Sequence, residues 1–131
     1  MQFNLPQTIP DLLPFVGACA SILYGLVALF APRLLLRMLR LDAVGPSAAG
    51  ISEVRSTLAG FPLGTGLVTL FFFDQPFMQM TLGAGWLFTA FGRLVSILSD
   101  EASTLANWFL LLLNLALAAL CLAPVFGLVT A

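Results

Sequence analysis

Apolar and polar positions divide this chain into four long apolar blocks separated by short polar breaks. Leu12 to Phe30 carries no charge over nineteen residues, roughly 28 Å of helix at about 1.5 Å per residue. Further blocks run from Ile51 to Phe73, Phe77 to Ser99 and Thr104 to Val129. A membrane-crossing helix needs about 20 mainly apolar residues, so each block predicts one. The blocks are continuous rather than alternating, which favours helices over barrel strands, the other backbone solution in hydrocarbon. The predicted fold is all-α: an up-down bundle of four transmembrane helices forming a single unit over residues 1–131.

The breaks carry their own signals. Met1 to Pro10 reads as an exposed lead-in without the basic stretch of a cleaved leader. Pro14 is tolerable in a first helical turn. After Pro32, Arg33, Arg37 and Arg40 fall at i, i+4 and i+7 among Leu34, Leu35, Met38, Leu39 and Leu41. That pattern predicts a short amphipathic helix lying in the headgroup layer. Asp42 to Gly50 is a small-residue loop around Gly45-Pro46, Asp74-Gln75-Pro76 a tight turn, and Asp100-Glu101 the end of the third block. Pro62 should bend the second span, and Pro124 falls in the last turns of the fourth.

Within the blocks, small and polar residues recur at three- and four-residue spacing, which places them on one helix face. The stripes are Gly17, Ser21, Tyr24 and Ala28; Glu53, Ser56, Gly60 and Gly64; Gly85, Thr89, Gly92, Ser96 and Ser99; and Asn107, Asn114, Ala118 and Cys121. Small residues let helices approach closely in lipid, so these stripes are the expected bundle interface, with Gly60, Gly64, Gly85 and Gly92 facing other helices. Phe71-Phe72-Phe73 and Trp86 read as lipid or interface contacts, and Trp108 as part of an aromatic belt.

Composition sharpens the picture. Hydrophobic residues make up 60% of 131 positions and charged residues 8%, against about 25% charged in soluble domains. The chain has no histidine, which excludes bis-histidine haem, His-ligated di-iron centres and most zinc enzymes. Cys19 and Cys121 form no CxxC motif and are expected as buried, unpaired thiols. No metal, cofactor or nucleic acid is implied. All five basic residues, Arg33, Arg37, Arg40, Arg55 and Arg93, flank the connections after spans one and three. The positive-inside rule then puts those connections in the cytoplasm and both termini outside a cell inner (plasma) membrane.

A polar cluster falls in the cytoplasmic half: Tyr24, Glu53, Arg55, Ser56, Arg93, Ser96 and Asn107. A charge at membrane depth costs several kcal/mol unless paired or hydrated. Glu53 and Arg93 should therefore come within salt-bridge reach, directly or through one polar group. The structural reading of the cluster is an ion pair that fixes register, with Arg55 snorkelling to headgroups. The functional reading is a polar pocket in which Arg93 binds the anionic group of a lipid, an isoprenoid-like amphiphile or a carboxylate.

Several strings carry a family resemblance: Tyr24-Gly25 with Ala28 to Pro32, Leu41-Asp42, Glu53-Val54-Arg55-Ser56 with Gly60, Leu63-Gly64 and Gly66, and Gly92-Arg93 with Ser96 and Asp100. Together they resemble a family of small bacterial four-helix membrane proteins classified as a domain of unknown function. The resemblance implies a four-helix bundle and marks Glu53, Arg55, Arg93 and Asp100 as family features, with no activity attached. A fainter likeness to DoxX-like proteins rests on size and topology alone. The function favoured by the residues is a non-catalytic accessory or amphiphile-binding protein. The alternatives are a subunit of an oligomeric transporter or channel, as a homo-oligomer or in a larger complex, and an enzyme using Glu53 as acid or base.

Overall fold

In the computed structural model the described residues, 5–41, 49–100 and 103–128, form helices joined by turns and short irregular stretches, with no strand among them. The elements are α1 (Ile9–Phe30), α2 (Pro32–Leu39), α3 (Ala49–Glu53), a π turn (Val54–Leu58), α4 (Ala59–Phe71), α5 (Pro76–Ser99) and α6 (Leu105–Leu122). Helices α1, α5 and α6 are long and apolar enough to cross a membrane. They mark the chain as a multi-pass membrane protein. The loop expected around Gly45-Pro46, residue Glu101 and the end of the fourth block lie outside the described residues.

Proline and glycine explain most helix boundaries. α1 begins at Ile9, earlier than Leu12, because Pro10 occupies its first turn, where a missing N–H has no partner to lose; Pro14 then lies inside the helix. α5 begins at Pro76 for the same reason, and the buried Gln79 amide donates to the Phe73 carbonyl at 2.7 Å, tying down the preceding turn. α6 stops at Leu122, short of the expected end. Pro124 has no N–H for the Leu120 carbonyl, and Gly127 (φ 71°) with Leu128 N–H donating to Ala123 O closes the end in Schellman fashion.

The second block departs most from expectation. It is no single regular helix: α3 passes through the π turn into α4, and the bend predicted at Pro62 is preceded by this wider turn. Pro62 has no N–H for the Leu58 carbonyl and its ring crowds that carbonyl. A π turn ending at Leu58 loosens the backbone there, with Ala59 N–H reaching back to Val54 O. Val54 and Ala59, five residues apart, are both buried.

The stripe Glu53, Ser56, Gly60 and Gly64 stays together across this turn, on the exposed side. Gly60 and Gly64 face open space, as do Gly85 and Gly92 on α5, against expectation. Gly25 and Gly66 hold the α1–α4 interface instead. A Cβ at Gly25 would lie 2.8 Å from the Leu63 nitrogen, and one at Gly66 would lie 3.1 Å from the Ala18 oxygen. At Gly25 the facing backbone leaves no room for a side chain, and at Gly66 it would have to give by a few tenths of an ångström. The stripes on α1 and α6 are as expected: Gly17, Ser21 and Ala28 are buried on one, Asn114, Ala118 and Cys121 on the other.

Three apolar clusters result. Ala18, Leu82, Trp86, Ala118 and Cys121 join α1, α5 and α6. Ala28, Leu35, Val54 and Ala59 join α1, α2, the π turn and α4. Ala90, Ile97 and Leu111 close the α5–α6 pair. α1 packs along α4 and α5 along α6, whereas α4 and α5 touch sparingly. On α2, Leu35 is buried while Arg33, Arg37, Arg40, Leu34 and Met38 are exposed, so only one side of this helix meets the bundle.

Candidate guanidinium site between helices one, five and six

The site is built on α6. Asn107 and Asn114 are seven residues apart, two turns along one face, and both project towards α5. Asn107 is set at the start of the helix, where its backbone N–H donates to the Thr104 side chain at 3.2 Å and caps the first turn. Asn114 is buried in mid-helix. Arg93, half-buried on α5, donates its Nε–H to Asn114 Oδ1 at 3.1 Å and its Nη1–H to Asn107 Oδ1 at 3.0 Å.

These partners are neutral. They fix the guanidinium in place and leave its full positive charge. Among the described residues no carboxylate forms an ion pair with Arg93, and its Nη2 has no acceptor. The Tyr24 side chain, from α1, lies near enough for the Arg93 charge to act on its hydroxyl. That hydroxyl makes no hydrogen bond among the described residues. The Tyr24 ring is held edge-on against Trp86 of α5, with centroids 5.7 Å apart. Trp86 in turn donates its indole N–H to the buried Ser21 Oγ at 2.8 Å, and Ser21 donates to Gly17 O.

Of the residues expected in the cluster, Tyr24, Arg93 and Asn107 come together. Glu53, Arg55 and Ser56 do not join them: all three are exposed at α3 and the π turn. Glu53 accepts a bond from Thr57 Oγ1 at 3.2 Å, and Ser56 bonds back to the Ser52 carbonyl. The expected Glu53–Arg93 pair is absent, since each side chain holds other partners and none links them. Val54 is the buried residue of that stretch, which leaves Glu53, Arg55 and Ser56 on the exposed side. Ser96 donates to Asp100 Oδ2 at 3.0 Å and closes the end of α5.

Three residues belong to the site that the cluster omitted. Asn114 stood in the α6 stripe, two turns from Asn107 on the same face, and that spacing was the signal for it. Trp86, expected at the lipid surface, is 8% exposed because Ala18, Ser21 and Ala118 leave room for its ring. Its place seven residues before Arg93 puts both on one face of α5. Ser21, in the α1 stripe, is its acceptor. Trp108 is exposed, as an aromatic-belt residue would be. Cys121 is a buried free thiol and Cys19 an exposed one, so only one of the two is buried as expected.

A family profile described as a domain of unknown function, DUF4345, matches residues 12–124. The chain belongs to the DUF4345 family. The matched DUF4345 segment takes in Tyr24, Arg93, Asn107 and Asn114, so the whole site lies within the family domain. No curated protein and no solved structure matches this DUF4345 chain.

Proposed function

We propose that this protein binds the anionic head of a membrane amphiphile, and does so without catalysing a reaction. The observation that carries the reading is the Arg93 guanidinium, held by two neutral amides and in no ion pair with a described carboxylate, with the Tyr24 hydroxyl within range of its charge. An uncompensated arginine at membrane depth costs several kcal/mol. An anion accepting from Nη2 and from the Tyr24 hydroxyl offsets that cost with charge-assisted bonds. The alternatives are less well supported. For catalysis, the hydroxyl–carboxylate pairs among the described residues, Ser96–Asp100 and Thr57–Glu53, lie at helix ends and in the π turn, apart from the Arg93 site. An aqueous transport path needs free polar groups through both halves, yet Ser21, Thr65, Thr81 and Thr89 all bond to carbonyls of their own helices.

In the bilayer, the helical path from Ala49 through the π turn to Phe71 serves as a fourth crossing, between α1 and α5. α2 lies along the inner surface with Arg33, Arg37 and Arg40 among headgroups. Both termini are then outside, and Arg93 is about 9 Å from the inner end of α5 at ~1.5 Å per residue. That depth suits a phosphate or carboxylate drawn just below the headgroup layer of the inner leaflet.

Ligand-linked stability tests the reading. A ligand at one hundred times its Kd raises stability by about 2.7 kcal/mol. Dodecyl phosphate added to the protein in a neutral detergent should therefore raise the unfolding temperature, whereas dodecanol should not. The rise should vanish in Arg93→Gln. Equal shifts from both compounds, or an undiminished shift in Arg93→Gln, would remove the anion site.

A further inference from the structure

α4 and α5 are joined by a tight turn yet pack sparingly, and an open groove lies between them. Two hollows of about 180 and 450 Å³ share Phe61, Thr65 and Thr81 along it. Trp86 and Leu82 are buried at its base, and Phe61 stands exposed beside it. Gly60, Gly64 and Gly85 leave it wide, since a Cβ at any of them would meet nothing within 4 Å.

The groove is apolar in effect despite its threonines. Thr65, Thr81 and Thr89 donate to the carbonyls of Phe61, Phe77 and Gly85 on their own helices. Those three hydroxyls are thereby turned to backbone, and Thr69, which also lines the groove, is buried. The groove also comes within one helical turn of Arg93 along α5, with Thr89 lining that end of it. Trp86 at its base carries the Tyr24 ring.

We infer that this groove seats the hydrocarbon chain of the amphiphile whose anionic head Arg93 and Tyr24 hold; the inference rests on the anion-site reading above. The occupant is a linear apolar chain with one anionic end. A second copy of the protein fits less well. The described carboxylates Asp11, Glu53, Asp74 and Asp100 all lie at helix ends or in turns, none among the residues that line the groove. The shared chemistry belongs to a free single-chain amphiphile and to a chain of an anionic phospholipid alike.

Quenching of Trp86 by a brominated chain reads this directly. The sequence has two tryptophans, so Trp108→Phe leaves Trp86 as the sole reporter. In neutral-lipid nanodiscs, brominated dodecyl phosphate or chain-brominated phosphatidylglycerol should quench Trp86 saturably, and the tighter of the two identifies the source. Brominated dodecanol should quench only in proportion to its partitioning. Gly85→Leu fills the groove beside Trp86 and should weaken saturable quenching at least tenfold with helix content unchanged. Should that variant fold poorly, Gly64→Leu in the adjoining hollow serves the same purpose. The inference is overturned if both glycine variants bind as wild type while Arg93→Gln does not; the head site then stands without the groove. If Arg93→Gln also binds as wild type, the anion-site reading falls as well. Equal quenching by the neutral alcohol overturns it too. A wild-type dimer that Gly85→Leu converts to monomer in native mass spectrometry would give the groove to a second copy, again overturning it.

Discussion

Arg93 on α5 and Asn114 on α6 are joined by a 3.1 Å hydrogen bond from Nε–H to Oδ1, a contact between a charge and a neutral amide. The bond orients the guanidinium while its charge stays available. Asn114 is buried, so truncating it leaves the Arg93 Nε–H without an acceptor in a low-dielectric setting. Asn114→Leu should destabilise the protein by about 1–3 kcal/mol. Arg93→Leu combined with Asn114→Leu should recover part of that loss, giving a measurable coupling in a double-mutant cycle of thermal stability in detergent. Strict additivity would mean that the bond contributes nothing.

A second prediction concerns Ser21, which is fully buried and accepts from the Trp86 indole. Ser21→Ala should cost about 1–3 kcal/mol by stranding that N–H, and near-ultraviolet dichroism should report the loosened indole. Ser56→Ala, exposed and bonded only to its own helix, should stay within about 0.5 kcal/mol of wild type. Similar effects from the two substitutions would contradict the assignment of Trp86 to the interior.

The glycines give a third. Gly25→Ala drives a methyl to within 3 Å of the Leu63 and Ala59 backbones, and should cost about 1–3 kcal/mol as the helices are pushed apart. Gly60→Ala and Gly64→Ala meet nothing and should be neutral, or stabilise by up to about 1 kcal/mol through better helix propensity. Denaturation midpoints of the three variants decide the matter. The reverse ranking would restore the interface expected from the sequence and contradict the register seen in the structure.

That register marks where sequence reading succeeded and where it stopped. Long apolar blocks make the helices legible, because a bilayer span leaves few alternatives. The interior faces of α1 and α6 were legible as well, since no irregular turn disturbs the phase from Gly17 to Ala28 or from Asn107 to Cys121. On the second block, the stripe Glu53, Ser56, Gly60 and Gly64 lies together on the exposed side, and Val54, Ala59 and Gly66 pack inward instead. Pro62 announced a disturbance without giving its kind. On α5, Gly85 and Gly92 suggested an interface that Leu82, Trp86 and Ala90 occupy, because the small partners Ala18 and Ala118 reserve space for a large ring. The site was half legible for the same reason. Arg93, Asn107 and Tyr24 sit on undisturbed helices, whereas Glu53, Arg55 and Ser56 sit at the irregular turn.

Orientation gives a fourth prediction. All the arginines flank the same two connections, so a reporter fused after Ala131 should behave as exported and one inserted at Gly45 as cytoplasmic. The opposite pattern would move the guanidinium site to the outer leaflet.

The central claim is that Arg93 holds an anion, and the ligand carried through purification tests it most directly. Protein extracted from membranes into a neutral detergent and weighed intact by native mass spectrometry should retain one anionic amphiphile. Arg93→Gln, folded to the same helix content, should retain none, and Tyr24→Phe should retain less than wild type. Wild-type protein free of bound anion, or Arg93→Gln that keeps the same ligand at the same occupancy, would contradict the account.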